Sequence, residues 1–349
     1  MPKLLIIDDQ TLTIRALREV LEEALSGSGV DISTIKINRT CSLTACSPSV
    51  REFYGSSAEF LSRAAGADIL VVHKAPVTEK VFRKAENLKL VACARNNPVN
   101  VDLAAAARRG ILVINAPGRA SEATAELTVG LMLALARNIV QAGLLTGSAG
   151  PAAWDYNTRT ALEGIELKGK TAGIIGFGRV GREVAGRLKA FGMNILVYST
   201  HTAPGEIIRL GARPATLEEL LQKSDFVTLH PRLTEKNKNL IGEKQLNLMK
   251  RSAYLINTAR GKLIDEKALY RVLREEKIRG AALDVLAEEP PARDNPLLGL
   301  KNVLITPHLG GKTREVPARA AGLLTADIKR FLAGEKPLNI VSSLPEPEA

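Results

Sequence analysis

Short apolar and β-branched runs recur along the chain, at Leu4 to Ile7, Ile69 to Val72, Leu90 to Ala92, Ile111 to Ile114, Ala172 to Ile175, Ile195 to Tyr198, Phe226 to Leu229, Ala253 to Ile256, Gly280 to Leu283 and Val303 to Ile305. Each reads as a strand. Between them a helical period marks Leu12 to Leu25, Glu122 to Asn138, Val180 to Phe191 and Glu266 to Glu275, with caps expected at Thr11, Ser121 and Asp265. Strands alternating with helices predict an α/β chain with parallel sheets. The stretch from Gly143 to Glu163 breaks the rhythm with Gly, Ser, Pro and Ala, and it is expected to be an extended arm. That arm carries Trp154, the only tryptophan; such a side chain packs more often on a partner than in water, so a homodimer is expected. Leu127 to Ala136, the most apolar later stretch, is too short to span a bilayer and is flanked by Glu126 and Arg137. It reads as a buried helix, and no membrane partner is expected.

Composition narrows the class. At 349 residues the chain exceeds what one core usually organises, which predicts two domains with a cleft between them. Hydrophobic and charged shares of 45% and 24% are those of a folded soluble protein. The net charge of +11 favours anionic ligands such as a dinucleotide or a carboxylate. Its basic residues are dispersed and no basic run is interleaved with aromatics, so nucleic acid is not an expected partner. Cys41, Cys46 and Cys93 are odd in number and lack metal-ligand spacing, so reduced thiols and no metal site are expected. The opening MPKLLIIDDQ resembles a first strand and not a secretory segment, which suits a cytosolic location. Asp8 and Asp9 could suggest a signalling receiver, but Val50 to Gly55 offers no phospho-acceptor aspartate; the acidic pair is expected to be a solvated strand end.

The sharpest local signal is Gly176-Phe-Gly178-Arg-Val-Gly181, after the strand TAGII and at the start of a helix. Gly176 permits the tight turn, Gly178 lets backbone amides approach a diphosphate, and Gly181 lets the helix pack on the strand. The helix N-terminus adds partial positive charge. The next strand, ILVYS, should end at the residue that reads the adenosine ribose. It ends in Ser199, Thr200 and His201 rather than a carboxylate, so both NAD and NADP are admitted.

Three further segments each follow a strand, at the sheet edge where open α/β folds bind ligands: INTARG with Arg260, ALDVLAEEP with Glu289, and TPHLGG with His308. Interconverting a 2-oxo and a 2-hydroxy acid needs a fixed cation for the carboxylate, a proton donor for the new alkoxide and a group that tunes the donor. Arginine offers a planar fork that keeps its proton. Histidine exchanges protons near neutrality, and a bonded glutamate would orient it and favour its protonated form. Arg260 is thus the expected clamp, His308 the acid/base and Glu289 the tuner.

On these segments the chain resembles the D-2-hydroxyacid dehydrogenase family, over nearly its whole length and most strongly from Leu88 to Asn138 and Thr171 to Gly311. The D-3-phosphoglycerate dehydrogenase-like branch gives the first substrate guess, ahead of other sugar acids. The resemblance implies two doubly wound parallel-sheet domains, with a Rossmann dinucleotide-binding domain over residues 116–311 inserted in a flavodoxin-like substrate domain made of residues 1–115 and 312–349. It implies catalysis by Arg260, Glu289 and His308. Amides of Arg179 and Val180 would meet the diphosphate, and His230 and Pro231 would lie against the cofactor. Asp284 would contact the nicotinamide carboxamide, with Thr258, Ala259, Arg260 and the His308 to Gly311 segment, including Gly310, around it. The loop from Arg95 through Asn96 and Asn97 to Asn100 would close on the substrate carboxylate, aided by Lys74.

Departures from the family pattern stand at Ser199, Arg232, Asn96 and Asn97; the two asparagines replace glycines and are expected to keep the loop by tolerating positive φ. Formate oxidation is not expected, since formate dehydrogenases of this family carry glutamine where Glu289 stands. Read by itself, His230 is a hydrogen-bonded structural histidine, Glu288 a solvated neighbour and Lys74 equally a surface lysine. The competing function is a dinucleotide-sensing co-repressor-type binding protein, which shares this fold and these residues.

Overall fold

The structure, a computed structural model, describes residues 1–38, 41–42 and 49–341. The reading of Cys46 and the last residues of the tail, 342–349, lie outside the described residues, as does the side chain of Cys41. The chain divides into two compact units, Met1–Arg119 with Thr313–Ala349, and Ala120–Lys312.

The first unit holds β1 (Lys3–Asp8), β2 (Asp31–Lys36), β3 (Cys41–Ser42), β4 (Phe53–Tyr54), β5 (Ile69–Val72), β6 (Leu90–Cys93) and β7 (Leu112–Asn115). Five of these make a parallel sheet in the order β2-β1-β5-β6-β7. Successive strand residues point to opposite faces, and in β1 both faces are apolar. Leu4 and Ile6 pack with Leu17, Leu21, Leu324 and Ile328 on one side, while Leu5 and Ile7 pack with Leu70, Val81 and Phe82 on the other. The helices Leu12–Ala24 and Glu315–Leu332 thus cover one face together. Beyond the second of them, Ile340 bridges to Ile114 and Val341 N–H donates to Val113 O, so the tail lies along β7.

Pattern reading missed β2, whose sequence DISTIK has no apolar run because an edge strand is mostly solvated. It also missed the antiparallel ribbon of β3 and β4, which is too short to show a period and is no third parallel strand. Asp9 is not solvated, as expected, but fully buried: its carboxylate accepts Thr11 N–H, Thr11 Oγ1–H and Lys74 N–H. Thr11 occupies the cap position without capping, because its hydroxyl is spent on Asp9.

The second unit holds β8 (Thr171–Ile175), β9 (Asn194–Tyr198), β10 (Arg213–Pro214), β11 (Phe226–Leu229), β12 (Tyr254–Asn257), β13 (Gly280–Leu283) and β14 (Val303–Ile305), all parallel in the order β10-β9-β8-β11-β12-β13-β14. Strand order reverses beside β8, and crevices at the carboxyl ends of such strands are where open α/β sheets take ligands. One face packs on Ser121–Ala136 and Arg179–Ala190, the other on Glu266–Arg274. Asp265 caps the last of these through Lys267 and Ala268 N–H, as expected. Ser121 does not cap: it is the first helical residue, after Ala120.

The expected extended arm is instead helical, with helices Ile139–Ala149 and Tyr156–Ala161 joined by the 3-10 turn Gly150–Trp154. Glycine within a helix costs about 1 kcal/mol, which Gly143 and Gly147 impose without breaking it. Pro151 sits in the first turn of the 3-10 segment, where its missing N–H would have no partner anyway. Asp155 then caps the following helix by accepting Thr158 N–H at 2.9 Å.

Candidate active site

In the second unit the glycine fingerprint folds as its spacing predicts. Gly176 has φ +87°, and a Cβ there would stand 2.6 Å from Pro231 N, so the turn passes directly against the His230–Pro231 backbone. A Cβ at Gly181 would overlap Gly176 O, which brings the helix Arg179–Ala190 onto the turn. Gly178, by contrast, faces open space, and no side chain caps this helix start at Arg179 and Val180. A diphosphate fits that cradle: exposed helix amides and no Cβ in the way. After β9, Ser199, Thr200, His201 and Thr202 line a pocket of about 890 Å³. Ser199 Oγ donates to Thr202 Oγ1 at 3.1 Å, and Thr200 Oγ1 lies 2.7 Å from His201 Nδ1. Hydroxyls line one wall and no carboxylate stands at the end of the strand, while Glu218 and Glu219 line the same pocket from farther along the chain.

His230 follows β11; its Nε2 lies 3.0 Å from Thr228 Oγ1, while Nδ1 is shielded from solvent without a partner. Burial pulls this imidazole down to about 3, so it is neutral at physiological pH.

β12 ends at Asn257, which is fully buried and pins the following turn: Ala259 N–H donates to its Oδ1, and its Nδ2 donates to Arg260 O at 2.9 Å. The Arg260 side chain is exposed, with one nitrogen bonded to Ala259 O at 2.7 Å. Thr258 Oγ1 is 2.8 Å from Thr128 Oγ1 on the helix Ser121–Ala136. At Gly261 a Cβ would collide with the Leu286 carbonyl, so the turn carrying Arg260 lies directly on the segment that leads to Glu289. Gly261→Ala is expected to destabilise the protein by about 1–3 kcal/mol. A lowered urea midpoint with unchanged slope reads this out, and an unshifted midpoint would show that the two segments part freely.

β14 leads to His308, a non-glycine residue at φ +54°. Asp284, 1% exposed at the end of β13, holds it there: Thr306 Oγ1 donates to Oδ1 at 2.7 Å, Leu309 N–H to Oδ1 at 2.7 Å and Gly310 N–H to Oδ2 at 2.8 Å. Asp284 O also accepts His308 N–H. The Asp284 carboxylate thus holds the backbone of the His308 loop. Thr124 Oγ1 donates to Gly310 O at 3.0 Å, and Gly311 abuts Ala120. His308 Nδ1 lies 2.6 Å from Glu289 Oε2, and Glu289 Oε1 accepts Leu286 N–H at 3.1 Å. Burial alone would raise the Glu289 carboxyl, but the His308 bond and charge, the Leu286 amide and the Arg260 charge together hold it below its ordinary value. Arg260, Glu289 and His308 therefore form one electrostatic group at the carboxyl edge of the seven-stranded sheet. Thr124, Thr128, Asn257 and Thr306 support it; spacing alone could not find them, because their roles depend on contacts far apart in sequence.

In the first unit, Lys74 Nζ donates to Tyr54 OH at 3.1 Å and sits 4.3 Å over that ring, so it is not a free surface lysine. The Arg95 guanidinium is bonded to Glu52 O and to the Glu52 carboxylate. Asn96 and Asn97 are exposed and do not take positive φ, against expectation. The loop keeps its shape through hydrogen bonds instead: Asn115 Nδ2 donates to Asn96 O at 2.6 Å, and buried Asn100 donates to Ala75 O at 2.7 Å. Cys93 is a free, buried thiol that burial pushes up to about 11.

Residues 129–310 match the family model for the D-isomer specific 2-hydroxyacid dehydrogenase NAD binding domain. The chain is 48% identical over 286 residues to a D-3-phosphoglycerate dehydrogenase of Methanocaldococcus jannaschii, covering 81% of this chain and 53% of that protein. It thus spans about half the length of that relative. It is also 41% identical over 268 residues to a glyoxylate reductase of Korarchaeum cryptofilum, covering 76% and 80% of the two chains. The crystal structure of the TT0316 protein from Thermus thermophilus superposes with a TM-score of 0.77 at 35% identity, over 97% of this chain and 100% of that one. With this likeness over both units and the fingerprint and Arg260–Glu289–His308 group in place, the chain belongs to the D-isomer specific 2-hydroxyacid dehydrogenase family.

Proposed function

We propose that this chain is a nicotinamide-dependent oxidoreductase interconverting small anionic 2-hydroxy and 2-oxo acids with D stereochemistry, 3-phosphoglycerate being the first candidate. The observation that carries this reading is the 2.6 Å His308–Glu289 contact with Arg260 acting on the same carboxylate. The names of the relatives, phosphoglycerate dehydrogenase and glyoxylate reductase, support the substrate class.

When bound, NAD(H) or NADP(H) supplies or accepts the hydride. Arg260 binds the substrate carboxylate through its planar fork, which fixes the 2-carbon. Glu289 holds His308 by Nδ1, leaving Nε2 to face substrate. In reduction His308 donates the Nε2 proton to the oxygen that becomes the hydroxyl; in oxidation it takes that proton back. Glu289 holds the ring through Nδ1 in both directions. Asp284 and Asn257 keep the two loops from drifting, since small misplacements cost rate steeply. The chain is further proposed to act as a homodimer, because the helical arm exposes Leu144 (72%), Trp154 (64%) and Tyr156 (78%).

The test is a panel of 2-oxo acids, including 3-phosphohydroxypyruvate and glyoxylate, followed by loss of NADH or NADPH absorbance. Turnover of at least one such acid, with D-hydroxy product, is expected; no oxidation of either cofactor across the panel would defeat the reading.

A further inference from the structure

Basic residues that are dispersed in the sequence meet where the strands of the seven-stranded sheet begin. Lys170 precedes β8, Arg213 opens β10, Lys223 precedes β11, Lys250 and Arg251 precede β12, and Arg279 precedes β13. Because the strands are parallel, these starts share one edge, and the Gly176, Arg260 and His308 loops lie at the other. The length of β8, Thr171–Ile175, separates the two edges by roughly 15 Å. Of the acids at this amino edge, Asp225 is taken by Lys250 at 2.9 Å and by Thr171 N–H at 2.8 Å.

At the β10 end of the edge lies a cavity of about 510 Å³, within the range of small-molecule sites. Met193, Ile195, Leu196 and Ala212, all buried, give it apolar walls, and Lys189, Arg213 and Lys223 line it as cations. No carboxylate stands among its lining residues. Glu219 answers two of the cations through a single oxygen, Oε1, 3.0 Å from Arg213 and 2.8 Å from Lys223. Lys189 has no acid partner among the described residues; its Nζ donates to Leu210 O at 3.1 Å. The fold makes room for that ammonium: a Cβ at Gly211, which has φ +72°, would stand 2.2 Å from it. Glycine serves there twice, for the turn and for the lysine that lies over it.

Three cations against one shared carboxylate leave an excess of positive charge that suits a dianion. The apolar walls beside them suit a carbon skeleton. We propose that this cavity is a second ligand site, for a small phosphate monoester with an apolar body, held by Lys189, Arg213 and Lys223. Its occupant sits a strand's length from the hydride chemistry and is not a reactant. The site stands whichever acid the chain reduces.

Isothermal titration with phenyl phosphate tests it, with saturating NADH present to fill the diphosphate cradle. The wild type is expected to bind phenyl phosphate at least about threefold more tightly than inorganic phosphate, which lacks the ring. Lys189→Met keeps an aliphatic stem over Gly211 and removes the charge, so the dissociation constant should rise about tenfold. Lys223→Met should weaken binding as well, and Arg260→Ala should leave it unchanged. Lys189 and Lys223 are exposed, so both variants should melt within a few degrees of the wild type, which separates a lost contact from a lost fold. No binding to the wild type, equal affinity for inorganic phosphate, or an affinity kept in both lysine variants overturns the proposal. So does an affinity lost in Arg260→Ala, which would put the phosphate at the active site.

Discussion

His308→Ala is expected to slow 2-oxo acid reduction by about two to four orders of magnitude, while the dissociation constant for NADH or NADPH moves less than about threefold, since no part of the diphosphate cradle is touched. The ring is positioned by three independent restraints: Asp284 fixes the loop backbone, φ of +54° turns the residue out of it, and Glu289 takes Nδ1. The remaining nitrogen is the only one able to exchange a proton with substrate. Glu289→Gln gives a graded companion. It keeps a side-chain oxygen near Nδ1 but withdraws the negative charge that favours imidazolium. Glu289→Gln should therefore slow reduction, but by less than His308→Ala does. Stopped-flow single turnovers separate chemistry from product release. A His308→Ala enzyme with wild-type single-turnover rates would show that the proton comes from elsewhere.

Much of the second unit was legible because its chemistry sits where a strand ends. Apolar runs located β8, β9 and β11 through β14, and Gly176, Arg260 and His308 each lie a few residues beyond one of them. The parts that escaped reading depend on contacts no local pattern encodes. Asp284 accepts amides of Leu309 and Gly310 because the pairing of β13 with β14 brings that loop beside it. Asp9 looked solvated because an acidic pair after an apolar run usually is; the turn through Thr11 and the Lys74 loop cover it. The Gly143 to Glu163 arm reads as irregular because Gly, Ser and Pro recur in it. Its helices persist through the Asp155 cap and through leucines that propensity favours. Asn96 and Asn97 replace glycines without positive φ, because side-chain bonding between the Arg95 and Asn115 loops supplies what glycine would have supplied by conformation.

Arg260→Ala is expected to lower kcat/KM for 2-oxo acids by about two to four orders of magnitude, the loss of two charge-assisted hydrogen bonds to a carboxylate. The deficit should appear in KM first, because those bonds exist in the ground state as well as the transition state. It should also reach kcat, because a single-point anchor no longer aligns the 2-carbon. Arg260→Lys distinguishes charge from geometry. Lysine keeps the positive charge felt by Glu289 but offers no planar fork, so the pH profile should stay near that of the wild type while kcat/KM remains well below it. Arg260→Ala, by contrast, also removes one of the charges that hold Glu289 ionised, so its acid limb should rise to higher pH. The backbone does not depend on this side chain: Asn257 grips Ala259 N–H and Arg260 O, and melting temperatures should stay within a few degrees. Inhibition by oxamate, a carboxylate that cannot be reduced, reads the clamp without chemistry. Wild-type oxamate affinity in Arg260→Ala would mean that the substrate carboxylate binds elsewhere, and the assignment of the clamp would fall with it.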